Sequence, residues 1–172
     1  MRQLGYKLGL RLRQIRFIRS AIDDHVRPGW IVRFPEFVGA FAEGLVGLEQ
    51  FPDALSTLAR ALGRAERGEA RWYVAELLRI KGEILLQGGE NLVEAETCFR
   101  TALDVARCQG ALLWELRSAM SLTRLLRRQG RPEDARQILS PVYSRFSEGF
   151  DAADLCTARA TLESLSDQLG AG

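Results

Sequence analysis

A single histidine, His25, stands among the 172 residues, directly after Asp23 and Asp24. An imidazole beside carboxylates is raw material for acid–base catalysis or metal binding. Consecutive positions on a helix, however, project in different directions, so these three side chains are poorly arranged to share one ion or one proton. A solvated helix end before Pro28 and Gly29 accounts for the same residues. Cys98, Cys108 and Cys156 are odd in number and lack CxxC spacing, which gives neither a disulfide framework nor a zinc site. Cys98 and Cys108 fall among apolar residues of a predicted helix and read as small core residues, not reactive thiols. Gly44, Gly47 and the pair Gly88-Gly89 have neither the GxxxxGK[ST] nor the strand-GxGxxG context of a phosphate cradle, and read as turn and packing glycines. With no nucleophile, base and orienting group in a plausible set, the sequence nominates no catalytic residue, metal or cofactor. The function to expect is binding.

Binding here has to come from charge carried on helices. Leu (26), Arg (22) and Ala (20) dominate, whereas Val, Ile and Thr together number 21, a composition that favours helix and excludes an all-β fold. The length suits about one domain. Lys plus Arg number 24 against 22 Asp plus Glu, a net charge of +2, too near balance for a general polyanion binder. Arg2, Lys7, Arg11, Arg13, Arg16 and Arg19 interrupt every early apolar run short of the ~20 residues a membrane span needs. No signal peptide, transmembrane helix or membrane partner is expected, and free cysteines suit a reducing cytoplasm.

The chain repeats. A small residue, a large apolar residue four later and another apolar residue three later recur at Ala54, Leu58, Ala61, at Ala95, Phe99, Ala102, and at Ala135, Leu139, Val142. A second amphipathic stretch precedes each triplet: Val38, Phe41, Ala42, Leu45; Leu78, Gly82, Leu85; Ala119, Leu122, Leu126. Spacings of three and four place each set on one helical face. Between the two stretches lie Glu49-Gln50-Phe51-Pro52-Asp53, Gly88-Gly89-Glu90-Asn91 and Gln129-Gly130-Arg131-Pro132, where Gly can close one helix and Pro open the next. Each unit is thus a helical hairpin. Helices are predicted near 34–48, 52–66, 71–87, 92–108, 112–129 and 132–147, with Gly63, Gly68 and Gly110 as further turns and a kink at Pro141. Trp30, Trp72 and Trp114 recur every 42 residues but at varying offsets from the apolar pattern, and read as packing residues.

Helices flank the repeats. Asp151 resembles an N-cap with Asp154 in an acidic first turn, followed by the stripe Leu155, Ala158, Leu162, Leu165, Leu169, which predicts a cap helix over 151–169. Residues 1–27 predict a basic helix with Leu4, Leu8, Leu12, Ile15, Ile18 and Ile22 on one face, interrupted by Arg11 and Arg19. It is expected to fold back over Phe34, Val38 and Phe41 as a cover whose removal exposes apolar surface.

These paired helices resemble the tetratricopeptide repeat over 34–148, divided as 34–67, 71–108 and 112–148. The unit is longer, at 40–41 residues, and its opening Trp-Leu-Gly signature is degenerate. The resemblance implies an all-α fold: three hairpins in a right-handed α-solenoid with an N-terminal helix and a C-terminal cap helix. Residues 71–86 (RWYVAELLRIKGEILL), 98–103 (CFRTAL), 114–119 (WELRSA) and 141–155 (PVYSRFSEGFDAADL) are similar to the C-terminal repeat array of large bacterial signalling ATPases, of winged-helix regulator or adenylate-cyclase type. In that family the array is the sensing and protein-interaction part, and catalysis and DNA binding lie upstream. This resemblance implies a non-catalytic regulatory module corresponding to the tail alone.

In such a stack the first helix of each pair lines a concave surface. Counting away from the core face places Glu36 and Glu43 there, then Glu76, Arg79 and Glu83, then Arg117, Arg124, Arg127 and Arg128, so the groove runs from acidic to basic. Its basic end could hold an acidic or carboxylate-bearing protein segment through forked hydrogen bonds; a solvated face explains the same charges. Two alternatives stay open: a nucleic-acid-binding regulator using the N-terminal arginines, which precede any acid, and a homo-oligomerisation scaffold pairing through the N-terminal edge.

Overall fold

The computed structural model describes residues 34–67, 71–89 and 91–170. Seven α-helices occur among them, with no strand: α1 (Phe34–Val46), α2 (Phe51–Glu66), α3 (Val74–Gln87), α4 (Leu92–Cys108), α5 (Leu112–Arg128), α6 (Pro132–Tyr143) and α7 (Ala153–Gly170). The protein is all-α. The basic helix over 1–27, its apolar stripe, Asp23-Asp24-His25, Trp30 and Gly68 lie outside the described residues.

The chain divides into two compact units, Met1–Tyr73 and Val74–Gly172. In the first, α1 packs on α2; Val38, Phe41, Ala42 and Leu45 on α1 and Ala54, Leu58 and Ala61 on α2 are buried. A 3-10 turn over Arg71–Tyr73 takes up the start of the helix predicted at 71. Trp72 is 40% exposed, with its ring edge-on to Tyr73, and so is not the packing residue expected. Gly63, expected at a turn, lies inside α2.

In the second unit α3 pairs with α4 and α6 with α5; α4 also meets α5, α7 meets α6, and α5 touches both α3 and α7. Small residues permit the closest approach. A Cβ on Gly82 would lie 2.5 Å from the Phe99 ring, so α3 and α4 meet at a place where only glycine fits without a shift. Ala95, Phe99, Ala102, Ala135 and Leu139 are wholly buried, and Val142 nearly so. Further along, Leu103, Leu116, Ala119, Met120, Leu139, Val142, Leu155 and Ala158 from α4 to α7 form one apolar cluster. Filling such a cluster is the main favourable term available to short helices.

The helix ends follow the punctuation. Gly110 and Gly130 have φ of 66° and 73° and form Schellman ends, in which Ala111 N–H bonds Ala106 O at 2.9 Å and Arg131 N–H bonds Leu126 O at 2.9 Å. Gly89, at φ 71°, takes the left-handed position after α3. The equivalent position after α1 is Glu49, with φ 61° and the same pattern, Gln50 N–H to Leu45 O at 3.0 Å. A side chain in that conformation costs roughly 1–2 kcal/mol, partly offset by the chain entropy that glycine would lose. Glu49→Gly should therefore stabilise the protein by about 0.5–1 kcal/mol, read as a rise in thermal midpoint of about 2 °C.

Two further boundaries and the setting of one cysteine differ from expectation. Helix α6 ends at Tyr143, not 147: Pro141 has no N–H to give the carbonyl four residues back, and the helix stops two residues after it. Helix α7 starts at Ala153, so Asp151 lies ahead of the start, while Asp154 does occupy the first turn. Cys108 is exposed, because it closes α4 past the packed face; Cys98 is buried, and burial pushes its thiol pKa up.

Candidate functional site

Helices α3, α5 and α7 carry a ladder of charged side chains. Glu76, in the first turn of α3, is only 4% exposed. One turn on, Arg79 forks onto it, donating Nε to Oε2 at 2.9 Å and Nη2 to Oε1 at 2.8 Å. From α5, Arg117 brings Nη1 to 3.7 Å from Glu76 Oε1 and donates Nε to Asp154 Oδ2 on α7 at 2.8 Å. Its guanidinium also lies over the Trp114 ring, 5.3 Å from the centroid, which fixes it by stacking as well as by charge.

Two turns further along α3, Glu83 Oε1 gathers three donors. Ser121 Oγ donates to it at 2.6 Å, Arg124 Nη2 donates to it, and Arg79 Nη1 lies 3.6 Å away. Arg124 Nη2 also donates to Ser121 Oγ at 3.1 Å. Arg79, Arg117, Met120, Ser121, Arg124 and Asp154 line an open depression of about 230 Å³, room for one side chain and not for a helix. Around it Arg79, Arg117 and Arg124 face Glu76, Glu83 and Asp154, so charge balances within the molecule. Exposed ion pairs contribute about 0–1 kcal/mol each, and linked pairs around a buried carboxylate contribute more.

Of the residues nominated for a groove, Glu76, Arg79, Glu83, Arg117 and Arg124 come together on this surface. Arg127 donates Nη2 to Ser164 Oγ on α7 at 3.1 Å. Arg128 is exposed and has no ion-pair partner among the described residues. Glu43, exposed, and Glu36, whose side chain is not described, are on α1 in the first unit. Ser121, Met120 and Asp154 are members that sequence reasoning missed. Arg124 and Glu83 are 41 residues apart, one repeat, and that spacing was a usable signal. Asp154 stood out only as a helix start. No family model matches the chain. Nor does any curated protein match it significantly.

Two other acid clusters tie the second unit together. Glu115 on α5 is 1% exposed and accepts Arg107 Nε from the end of α4 at 3.0 Å and Arg145 Nη1 from beyond α6 at 2.5 Å. Glu96 on α4 accepts from Arg100 Nη2 at 2.7 Å, Arg131 Nη1 at 3.4 Å and Gln129 Nε2 at 3.4 Å. Burial opposes ionisation of Glu96, but the Arg100 hydrogen bond and the Arg100 and Arg131 charges outweigh it and hold the carboxyl below its ordinary value of 4.5. Because the folded pKa is depressed, the unfolded chain takes up the proton first. The stabilisation from Glu96 is therefore present above pH 4.5 and lost as pH falls through the folded value. The difference in thermal midpoint between wild type and Glu96→Gln should accordingly be largest at neutral pH and shrink below pH 4.5; a difference independent of pH contradicts this.

No helix among the described residues is long and apolar enough to cross a membrane.

Proposed function

We propose that the chain is a non-catalytic protein-interaction and regulatory module. Its hairpins over 34–148 form a right-handed tetratricopeptide-like array closed by α7, resembling the C-terminal sensor of bacterial cytoplasmic signalling ATPases and transcriptional regulators. The repeat of 40–41 residues, the glycine contact between α3 and α4, and the chain of contacts from α3 to α5 to α7 support the architecture. The partner is a protein or peptide segment carrying carboxylates, and it docks on the surface of α3, α5 and α7.

The observation that carries this reading is Arg124. It is half exposed at the rim of the depression and donates hydrogen bonds to the described residues through one of its three guanidinium nitrogens. A guanidinium in that position presents a fork to an incoming carboxylate. Peptide-display selection on the whole chain tests the proposal. Wild type is expected to enrich peptides rich in Asp and Glu, and Arg124→Glu, with helicity unchanged by circular dichroism, is expected to lose that enrichment. Equal enrichment by both would mean that the charges form only a solvated face.

A further inference from the structure

We propose that Glu83 occupies the place of the partner's carboxylate and restrains binding until the partner displaces it. The inference rests on the reading above, that this surface takes a carboxylate-bearing segment, and adds how the surface is kept closed.

Three observations converge on this residue. First, Glu83 engages through a single oxygen: Ser121, Arg124 and Arg79 all meet Oε1, and Oε2 accepts no hydrogen bond among the described residues. Second, Arg124 donates through Nη2 alone, to Glu83 and to Ser121, and its Nε and Nη1 donate no hydrogen bond among the described residues. Third, the two neighbouring carboxylates do not compete for Arg124: Asp154, 34% exposed, meets Arg117 Nε instead. Glu76 is buried beneath a two-bond fork from Arg79, whereas the Glu83 side chain is 24% exposed and the Arg124 side chain 50%.

A carboxylate arriving from solvent can do what Glu83 does not. It can set both oxygens against two nitrogens of Arg124 in a fork and still accept from Ser121 Oγ, which is the stronger and more directional pairing. Glu83 then turns outward into water, where an ionised carboxylate is well solvated. While it stays in place, only the fraction of molecules with Glu83 turned out can bind, and the apparent affinity falls by that fraction. Partner segments able to fork onto Arg124 are thereby favoured over those offering a single oxygen.

The test uses the whole chain and a fluorescein-labelled tetraglutamate peptide, followed by fluorescence anisotropy at fixed ionic strength. Glu83→Gln keeps the shape and removes the competing charge; it is expected to bind the peptide about tenfold more tightly than wild type. Glu96→Gln makes the same change in net charge on α4, away from the depression, and should bind as wild type does. Adding Arg124→Gln to Glu83→Gln should abolish the gain. Equal affinities of wild type and Glu83→Gln, or an equal gain in Glu96→Gln, would overturn the inference. If wild type binds and Arg124→Gln abolishes that binding, while Glu83→Gln changes nothing, the functional reading stands and the restraint by Glu83 falls. Absence of binding by every variant overturns both.

Discussion

Ala95→Glu is expected to lower the thermal midpoint by about 10 °C, whereas Ala160→Glu should leave it within about 2 °C. Ala95 is wholly buried on the face of α4 that also carries Phe99 and Ala102. That face meets α3 where the Phe99 ring leaves no room for a Cβ on Gly82, so the contact cannot open locally to admit a longer side chain. A glutamate there must either bury an unpaired carboxylate or separate the two helices, at about 3–5 kcal/mol. Ala160 is exposed on α7, where the same substitution meets water and costs within about 0.5 kcal/mol. Thermal melts followed by circular dichroism compare the two directly; equal midpoints would show that the triplet Ala95, Phe99, Ala102 does not form the seam between α3 and α4.

The second large effect is an asymmetry around Glu115. Its side chain is 2% exposed, whereas those of Arg107 and Arg145 are 45% and 50% exposed. Removing the acid leaves two arginines that can turn into solvent along their alkyl stems. Removing both arginines leaves a buried carboxylate on α5 with no ion-pair partner among the described residues. Arg107→Ala combined with Arg145→Ala should therefore cost about 3–5 kcal/mol, clearly more than Glu115→Gln. Adding Glu115→Met to the arginine-free background should restore most of the loss, because an apolar residue of similar volume needs no partner. Denaturant midpoints for the four proteins provide the check. A Glu115→Gln loss equal to or larger than that of the arginine pair would mean that Glu115 acts by its shape and not as a buried charge.

Most of the helices could be read from the sequence because their signals are local. Spacings of three and four fixed the buried faces of α1, α2, α4, α5 and α6, and Gly89, Gly110 and Gly130 marked the turns because each adopts a left-handed conformation. Glu49 takes the same conformation without the residue that announces it, so that turn was visible only through Pro52. The end of α6 was misplaced because Phe146 keeps the apolar rhythm going and packs on the core although the helix has stopped. Cys108 was misplaced because apolar neighbours in sequence do not decide which side of a helix end faces water.

The charged surface was legible by type but not by pairing. Glu76, Glu83, Arg117 and Arg124 could be picked out because they occupy equivalent places in successive hairpins, and residues one repeat apart face each other when first helices stack. The partners of Arg117 and Arg124 were harder to see. Asp154 depends on where α7 starts, and the Ser121 hydroxyl, 38 residues from Glu83, has no charge to draw attention. The sequence suggested a basic end in need of an external counter-charge, whereas Glu83 and Asp154 already provide much of it. If the surface takes a carboxylate-bearing segment as proposed, that balance requires an exchange of partners at Arg124.

The most direct measurement of the central claim is a titration of the 15N-labelled chain with unlabelled tetraglutamate peptide, followed by NMR. Shifts are expected to concentrate at the amides of Arg79, Glu83, Arg117, Ser121 and Arg124 and at the Arg124 Nε–H, with the amides of Arg100, Arg131 and Arg136 unmoved. Shifts spread evenly over all surface arginines, or confined to those outside the depression, would contradict it.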